Sequence, residues 1–569
     1  MTGDTPTPLV AEGPTIPSVS CAKNIALLRF LHEIPELPTR NQRNRVPFRD
    51  EDYQLPFDRE RQLAGILAFL SRVKDDPYRV PAISLQECPK GRSVNVLIAV
   101  NRKSAADGKV AVQKIADGFQ RIFEPLRGAG KDDDYEVRDR VFDAIVPMCW
   151  DRIVERLSPD KSWKASEKKK KPIKELLQNA IKALRNNNKV PVSSRAAAKE
   201  FLERARAALR QVSAWDNHRV VPEMKALIRK IHSLKNVPEF ARIVALVPNG
   251  VQLEYMVTKV SRYLEAAKYL SRTAMKYPIA RRMVPVAVDL PATILNEKPS
   301  QDVPADIDTT LNRLHQDKKS RKAIYRLLEV REENAQPQFH KYFETALNKV
   351  TVHAEIQILA YCDLNGRGRY PRVVCSSKKA CYLCNQFITL HGKIYTPYCH
   401  GKLYIHWRLP NFPSRDMKLP FSARLEQVGM KSLKTMHREN KRIKHPDPTE
   451  SACHTLLLST TTLSGGSSTS DSRDESERAE ATSFILAESG GSSRSLEGRH
   501  SDSGNCNPEQ APSRSGDEPT EPVLGGECPA NQEPQYRTLG SLSSFAYSSV
   551  QPYSSIHKPE GPIETWRNK

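Results

Sequence analysis

The chain has 569 residues, 41 of them proline, and a mean hydropathy of −0.56. It is long enough for two or three domains with cores of their own, and polar enough that part of it is expected to stay unfolded. Its apolar runs, such as ARIVALV from Ala241, fall short of the roughly 18 residues a membrane span needs, and five of its eleven cysteines cluster between Cys362 and Cys399, which points to metal or catalysis rather than a disulfide framework.

The net charge of +22 is unevenly placed. Residues 451–569 carry 9 Lys and Arg against 16 Asp and Glu, a net of −7, which leaves +29 for residues 1–450. So basic a body favours polyanions such as nucleic acid or acidic lipid, although a solvated cationic surface is the plainer reading.

In chain order, residues 1–20 lack a basic segment followed by an apolar block, so they are expected to be a disordered leader rather than a secretory signal. The protein is accordingly expected to be intracellular, nuclear or cytoplasmic. Residues 21–250 place apolar side chains at helical spacing, as in NIALLRFLHEI, RQLAGILAFLSRV and AAKEFLERARAALRQV, and are expected to form a mostly helical, basic region. VNVLIAV (Val94–Val100) fits either a strand or a buried helix. Lys161–Arg210 carries 15 Lys and Arg against 4 Glu. Its core EKKKKPIKELL suits a nuclear import signal, a nucleic-acid patch, or an exposed helix face with i,i+4 ion pairs such as Glu200 with Arg204.

Residues 251–447 change character. A helical stretch leads into RRMVPVAVDLPATIL, where β-branched residues between prolines predict a strand, and a long helical pattern runs from Ile307 to Val350. There follow a predicted helix (353–363), a Gly-rich turn (365–369), a strand (372–376), a helix (381–390) and a strand (401–409). This alternation predicts an α/β domain. From residue 448 the chain is acidic, rich in Ser, Gly and Pro and poor in apolar residues, and is expected to be a disordered tail. Its charge is opposite to that of the body, so the tail folding back onto the body is a testable expectation.

The chemistry concentrates in TVHAEIQILAYCDLNGRGRYPRVVCSSKKACYLCNQFITLHGK, residues 351–393. A hydrolytic zinc site needs three protein ligands and one open position. His353, Cys381 and Cys384 supply three, and a Cys-x-x-Cys at a helix start turns both sulfurs to one side, near the positive helix end that favours thiolates. Glu355, two residues after His353, is placed to move protons between water and a leaving amine. Two other readings stay open at this point: a closed structural zinc site with Cys375 or Cys399 as fourth ligand, and a core histidine beside small buried cysteines. Softer candidates are Asn365 and Arg367, for a phosphate or base edge or simply as a turn; Tyr382, Phe387, Tyr395 and Trp407, as base-stacking rings or, as is commoner at these spacings, core residues; and His391 and His400, for which exposed loop positions are the expectation.

HAE followed by SKKACYLC resembles the H-x-E and C-x-x-C motifs of the zinc nucleobase deaminases of the cytidine-deaminase-like superfamily. With SKKACYLCNQFITLHGK and HGKLYIHWRLP, it is similar to the branch related to bacterial toxin domains and expanded in fungi. The resemblance spans at most residues 255–410. It implies that His353, Cys381 and Cys384 bind Zn2+, that Glu355 is the proton shuttle, and that a central mixed β-sheet is flanked by helices. It also implies hydrolytic deamination of cytosine or adenine. Basic charge makes RNA or single-stranded DNA the expected partner, with no membrane. The alternative is a deaminase-like module that keeps zinc, has lost catalysis and binds nucleic acid or protein. One departure stands out: Ala380 occupies the position before the first cysteine where the superfamily usually has proline.

Overall fold

The computed structural model describes residues 17–43, 50–88, 92–159, 171–185, 190–295, 305–349, 351–366, 369–412 and 417–451. Helix α1 (Pro17–Leu31) precedes β1 (Thr39–Arg40), α2 (Phe57–Leu70), the hairpin β2 (Pro81–Glu87) and β3 (Val94–Val100), and α3 (Lys109–Phe123). A helical block follows: α4 (Asp134–Met148), α5 (Trp150–Leu157), α6 (Ile173–Arg185), α7 (Arg195–His218), α8 (Val221–Lys235), α9 (Phe240–Ala245) and α10 (Gly250–Lys276). The chain then returns through β4 (Met283–Ala287), the single turn α11 (Ala292–Leu295), α12 (Ile307–Arg313), α13 (Lys318–Leu327) and α14 (Glu332–Asn348). Last come α15 (Ala354–Asn365), β5 (Val374–Ser376), α16 (Tyr382–His391), β6 (Tyr398–Cys399) and α17 (Lys418–Glu439).

The principal sheet is mixed, in the order β4-β3-β2-β5, with β3 and β4 parallel and the other pairs antiparallel. Strands β2 and β3 are almost wholly buried, because each covers apolar layers on both sides. Ile83, Leu85, Val96 and Ile98 pack with α2, α3 and the helical block. Ala82, Leu97 and Ala99 point the other way, into a second layer that holds α1, α15, α16 and α17. Successive strand side chains alternate faces, so one hairpin serves two cores. Helix α3 buries Val112, Ile115, Ala116, Phe119, Ile122 and Phe123, the i, i+3, i+4, i+7 stripe its sequence carries.

Several expectations change. VNVLIAV is a strand, and PAISLQE, which periodicity did not single out, pairs with it along its full length. The sheet therefore crosses the boundary expected at residue 250, taking two of its four strands from residues 81–100. Helix α1 begins at Pro17, inside the expected leader, because Val19, Ala22, Ile25 and Ala26 are buried in the second layer. The helical pattern from Ile307 is divided among α12, α13 and α14, with His315 and Glu329 at positive φ between them. No strand forms over 401–409. Gly401, at φ +77, and a turn at residues 405–406 bend the segment, which retains an isolated bridge from Thr351 to Trp407.

The Glu200–Arg204 ion pair is present. Residues 160–170, which include the start of the basic run, Arg367, and residues 452–569 of the tail lie outside the described residues. No helix among the described residues is long and apolar enough to cross a membrane.

Candidate metal centre

Both halves of the cluster are helix N-termini. His353 is the residue before α15 and Cys381 the residue before α16, each in extended backbone, at ψ 150 and ψ 166. Cys381 Sγ accepts the N–H of Cys384 at 3.4 Å, the side-chain cap that a Ser or Asp would otherwise provide. The start of α15 is held by the end of β3. Arg102 and Val352 exchange backbone hydrogen bonds of 3.0 and 2.8 Å, Ala354 N donates to Asn101 Oδ1 at 3.0 Å, and Gln357 Nε2 donates to Val100 O at 2.7 Å. The start of α16 is held by β6 and the residue after it: Ala380 N donates to Tyr398 O, and His400 N to Ala380 O. The bond from Ala380 gives the departure from proline a physical reason, since proline has no N–H to donate there.

These anchors bring His353 Nδ1 to 3.5 Å from Cys381 Sγ and 3.4 Å from Cys384 Sγ. The three ligand atoms lie within 4.8 Å of one another. Ligands on a tetrahedral zinc at about 2.05 Å for nitrogen and 2.3 Å for sulfur would sit about 3.5 Å apart, so donor type and spacing both fit that ion. Trp407, 1% exposed, donates its indole N–H to Cys384 Sγ at 3.3 Å. Glu355, 4% exposed, places Oε2 3.7 Å from the same sulfur.

Burial opposes charge throughout the cluster. Even so, the Cys381 thiol is held well below its usual range by the Cys384 side chain and the His353 ring, and the Cys381 sulfur raises His353 in return. Cys384 is pushed well up by burial and by the adjacent Cys381 charge. Burial also raises Glu355, against the pull of His353. The arrangement can hold a soft divalent cation in place of the thiol protons, with a buried carboxyl group alongside.

The softer candidates separate clearly. Neither Cys375 nor Cys399 joins the cluster, so among the described residues the closed-site reading has no fourth cysteine. Cys375 belongs to the layer on the other face of the sheet, and burial pushes both thiols up to about 12. Tyr382, Phe387 and Tyr395 are buried packing residues, and Trp407 serves as a donor to sulfur. Asn365 ends α15, before Gly366 at φ +42, and its side chain caps Tyr361 O. His391 and His400, expected in exposed loops, are both buried: His391 pairs with Asp363 at 3.0 Å, and His400 packs against Tyr404. Asn101, which holds α15, escaped the sequence reading because nothing local links it to a residue 253 positions away.

Over residues 352–411 the chain matches the family model of the OTT_1508_deam-like deaminases, which supports a deaminase-family domain in this part of the chain. No curated protein and no solved structure matches the chain.

Proposed function

We propose that the protein is a zinc-dependent hydrolase that deaminates a nucleobase, cytosine or adenine, within single-stranded DNA or RNA. His353 Nδ1, Cys381 Sγ and Cys384 Sγ would hold the ion, which when bound supplies Lewis acidity that brings the pKa of water down to about 7. Glu355 carries the proton traffic. Its buried carboxylate takes a proton from the attacking water and returns it to the departing amine, so that water and the amino base become the carbonyl base and ammonia. Burial, which raises its pKa, suits it to hold that proton between the two transfers. Trp407 fixes the Cys384 sulfur through its indole N–H.

The observation that carries this reading is the Glu355 carboxyl 3.7 Å from Cys384 Sγ. A purely structural zinc site has no use for a carboxyl there. The nucleic-acid substrate is supported by the +29 over residues 1–450, since an enzyme of free nucleosides needs no such surface. The test is zinc content and ammonia release from oligonucleotides and nucleosides, for wild type and Glu355→Ala. About one zinc in both proteins, with ammonia from wild type alone, is the expected outcome. Zinc in both and ammonia from neither makes the chain an inactive zinc-stabilised module.

A further inference from the structure

The expected tail does not leave the domain at residue 448. Residues 447–451 run alongside the segments that flank the metal centre, bonded to residues just before Cys381 and just after His400. Lys378 pairs with Ser451 in an antiparallel bridge, and Lys379 N donates to Glu450 O at 2.8 Å. Lys402 Nζ meets Asp447 Oδ1 at 2.9 Å. The Glu450 carboxylate is held at both oxygens: Lys378 Nζ donates to Oε2 and Tyr404 Oη to Oε1, each at 2.6 Å. The Tyr404 ring in turn lies 6.0 Å from the His353 imidazole and 5.7 Å from His400. An anion is therefore fixed by an ammonium and a phenol, one ring away from a metal-cluster residue.

The strap that delivers this anion is HPDPTES, residues 445–451. Its two prolines keep it extended, and it offers no large apolar side chain to anchor it. Its attachment is through ion pairs and hydrogen bonds, which salt screens and a competing anion can replace. Two charge-assisted bonds to paired oxygens are also what a phosphate group accepts from Lys and Tyr. A strand presenting a base to the metal centre must carry a phosphate close to that base.

We propose that Lys378 Nζ and Tyr404 Oη form a phosphate subsite beside His353, and that Glu450 fills it from within the chain, so that a phosphate-bearing substrate displaces the 447–451 strap to reach the metal centre. The proposal rests on the nucleobase-deaminase reading for the origin of the phosphate, and its test reads binding. The probe is a fluorescein-labelled single-stranded 20-mer, as DNA and as RNA, titrated at low salt against the full chain, with a nucleoside 5′-monophosphate and the plain nucleoside as competitors.

Glu450→Ala should tighten probe binding about tenfold, the worth of one charge-assisted hydrogen bond regained by the ligand. The double variant Glu450→Ala with Lys378→Ala should return to wild-type affinity or below, and Glu333→Ala, which removes an equal charge from exposed surface, should change nothing. Competition by the monophosphate assigns the subsite to a free nucleotide's phosphate, and lack of competition assigns it to a strand phosphate; both support the subsite. Unchanged affinity in Glu450→Ala, full gain retained in the double variant, or an equal gain in Glu333→Ala overturns it. Tightened binding without ammonia release leaves the subsite standing and removes the deaminase reading. Ammonia release with no change in affinity does the reverse.

Discussion

Trp407 donates its indole N–H to the Cys384 sulfur across 3.3 Å, from a ring that is itself 1% exposed and packed against Phe421. This bond ties a segment without regular strand structure to the metal cluster. Trp407→Phe keeps the apolar ring and deletes the donor. Zinc affinity, measured by chelator competition, should fall about tenfold, in the range typical of lost outer-shell partners, while the far-ultraviolet circular dichroism stays unchanged.

Among the described residues the cluster brings together three potential ligands, His353, Cys381 and Cys384, and neither Cys375 nor Cys399 joins them. Cys384→Ser should reduce zinc from about one per chain to near zero, whereas Cys375→Ser and Cys399→Ser should leave about one, by elemental analysis of the purified proteins. Zinc loss in Cys399→Ser would restore the closed structural site.

Asn101 holds the first turn of α15 from the end of β3 through its bond to Ala354 N. Asn101→Ala leaves that buried N–H without its acceptor, at a cost of about 1–3 kcal/mol in urea unfolding. Zinc affinity should fall as well, because His353 directly precedes the helix turn released. Lost stability with unchanged zinc affinity would confine Asn101 to folding.

Gly401, at φ +77, allows the chain after β6 to approach the backbone near Glu36: a Cβ there would lie 1.8 Å from Glu36 O. Gly401→Ala therefore meets both a left-handed backbone cost of about 1–2 kcal/mol and a backbone clash. The expected result is a protein with a lower unfolding midpoint and weaker zinc binding, since His400 N anchors Ala380 beside Cys381.

Glu450 sets a pH dependence with a definite sign. Burial raises its pKa, but Lys378 and Tyr404 outweigh burial and hold it at about 2, below the usual 4.5. The native state thus binds its proton less readily than the unfolded chain, so the contribution is fully present above about pH 4.5 and is lost as pH falls toward 2. The stability difference between wild type and Glu450→Gln should be constant from pH 8 to 5 and shrink below that, in urea titrations at each pH. A difference that shrinks between pH 8 and 6 would mean another group controls the strap.

The sequence by itself determined the chemical inventory: His353, Glu355, Cys381 and Cys384, two of them directly preceding helices and all within a few residues of a helix start. Those signals are local, because a Cys-x-x-Cys and a His-x-Glu at helix starts depend on spacings shorter than one helical turn. The strand nature of Val94–Val100 stayed ambiguous, since a seven-residue apolar run has the same pattern whether it is buried as strand or as helix. Only the tertiary structure decided that β2 and β3, from a region that otherwise reads as helix, form the middle of the sheet, that Asn101 and Trp407 serve the cluster, and that Glu450 bonds Lys378 and Tyr404. Each of these pairs residues that are 23 to 253 positions apart, or strands interrupted by a helical block. Such pairings arise from the burial of a shared face and from hydrogen bonds that close only after the chain has returned, and no local spacing records them.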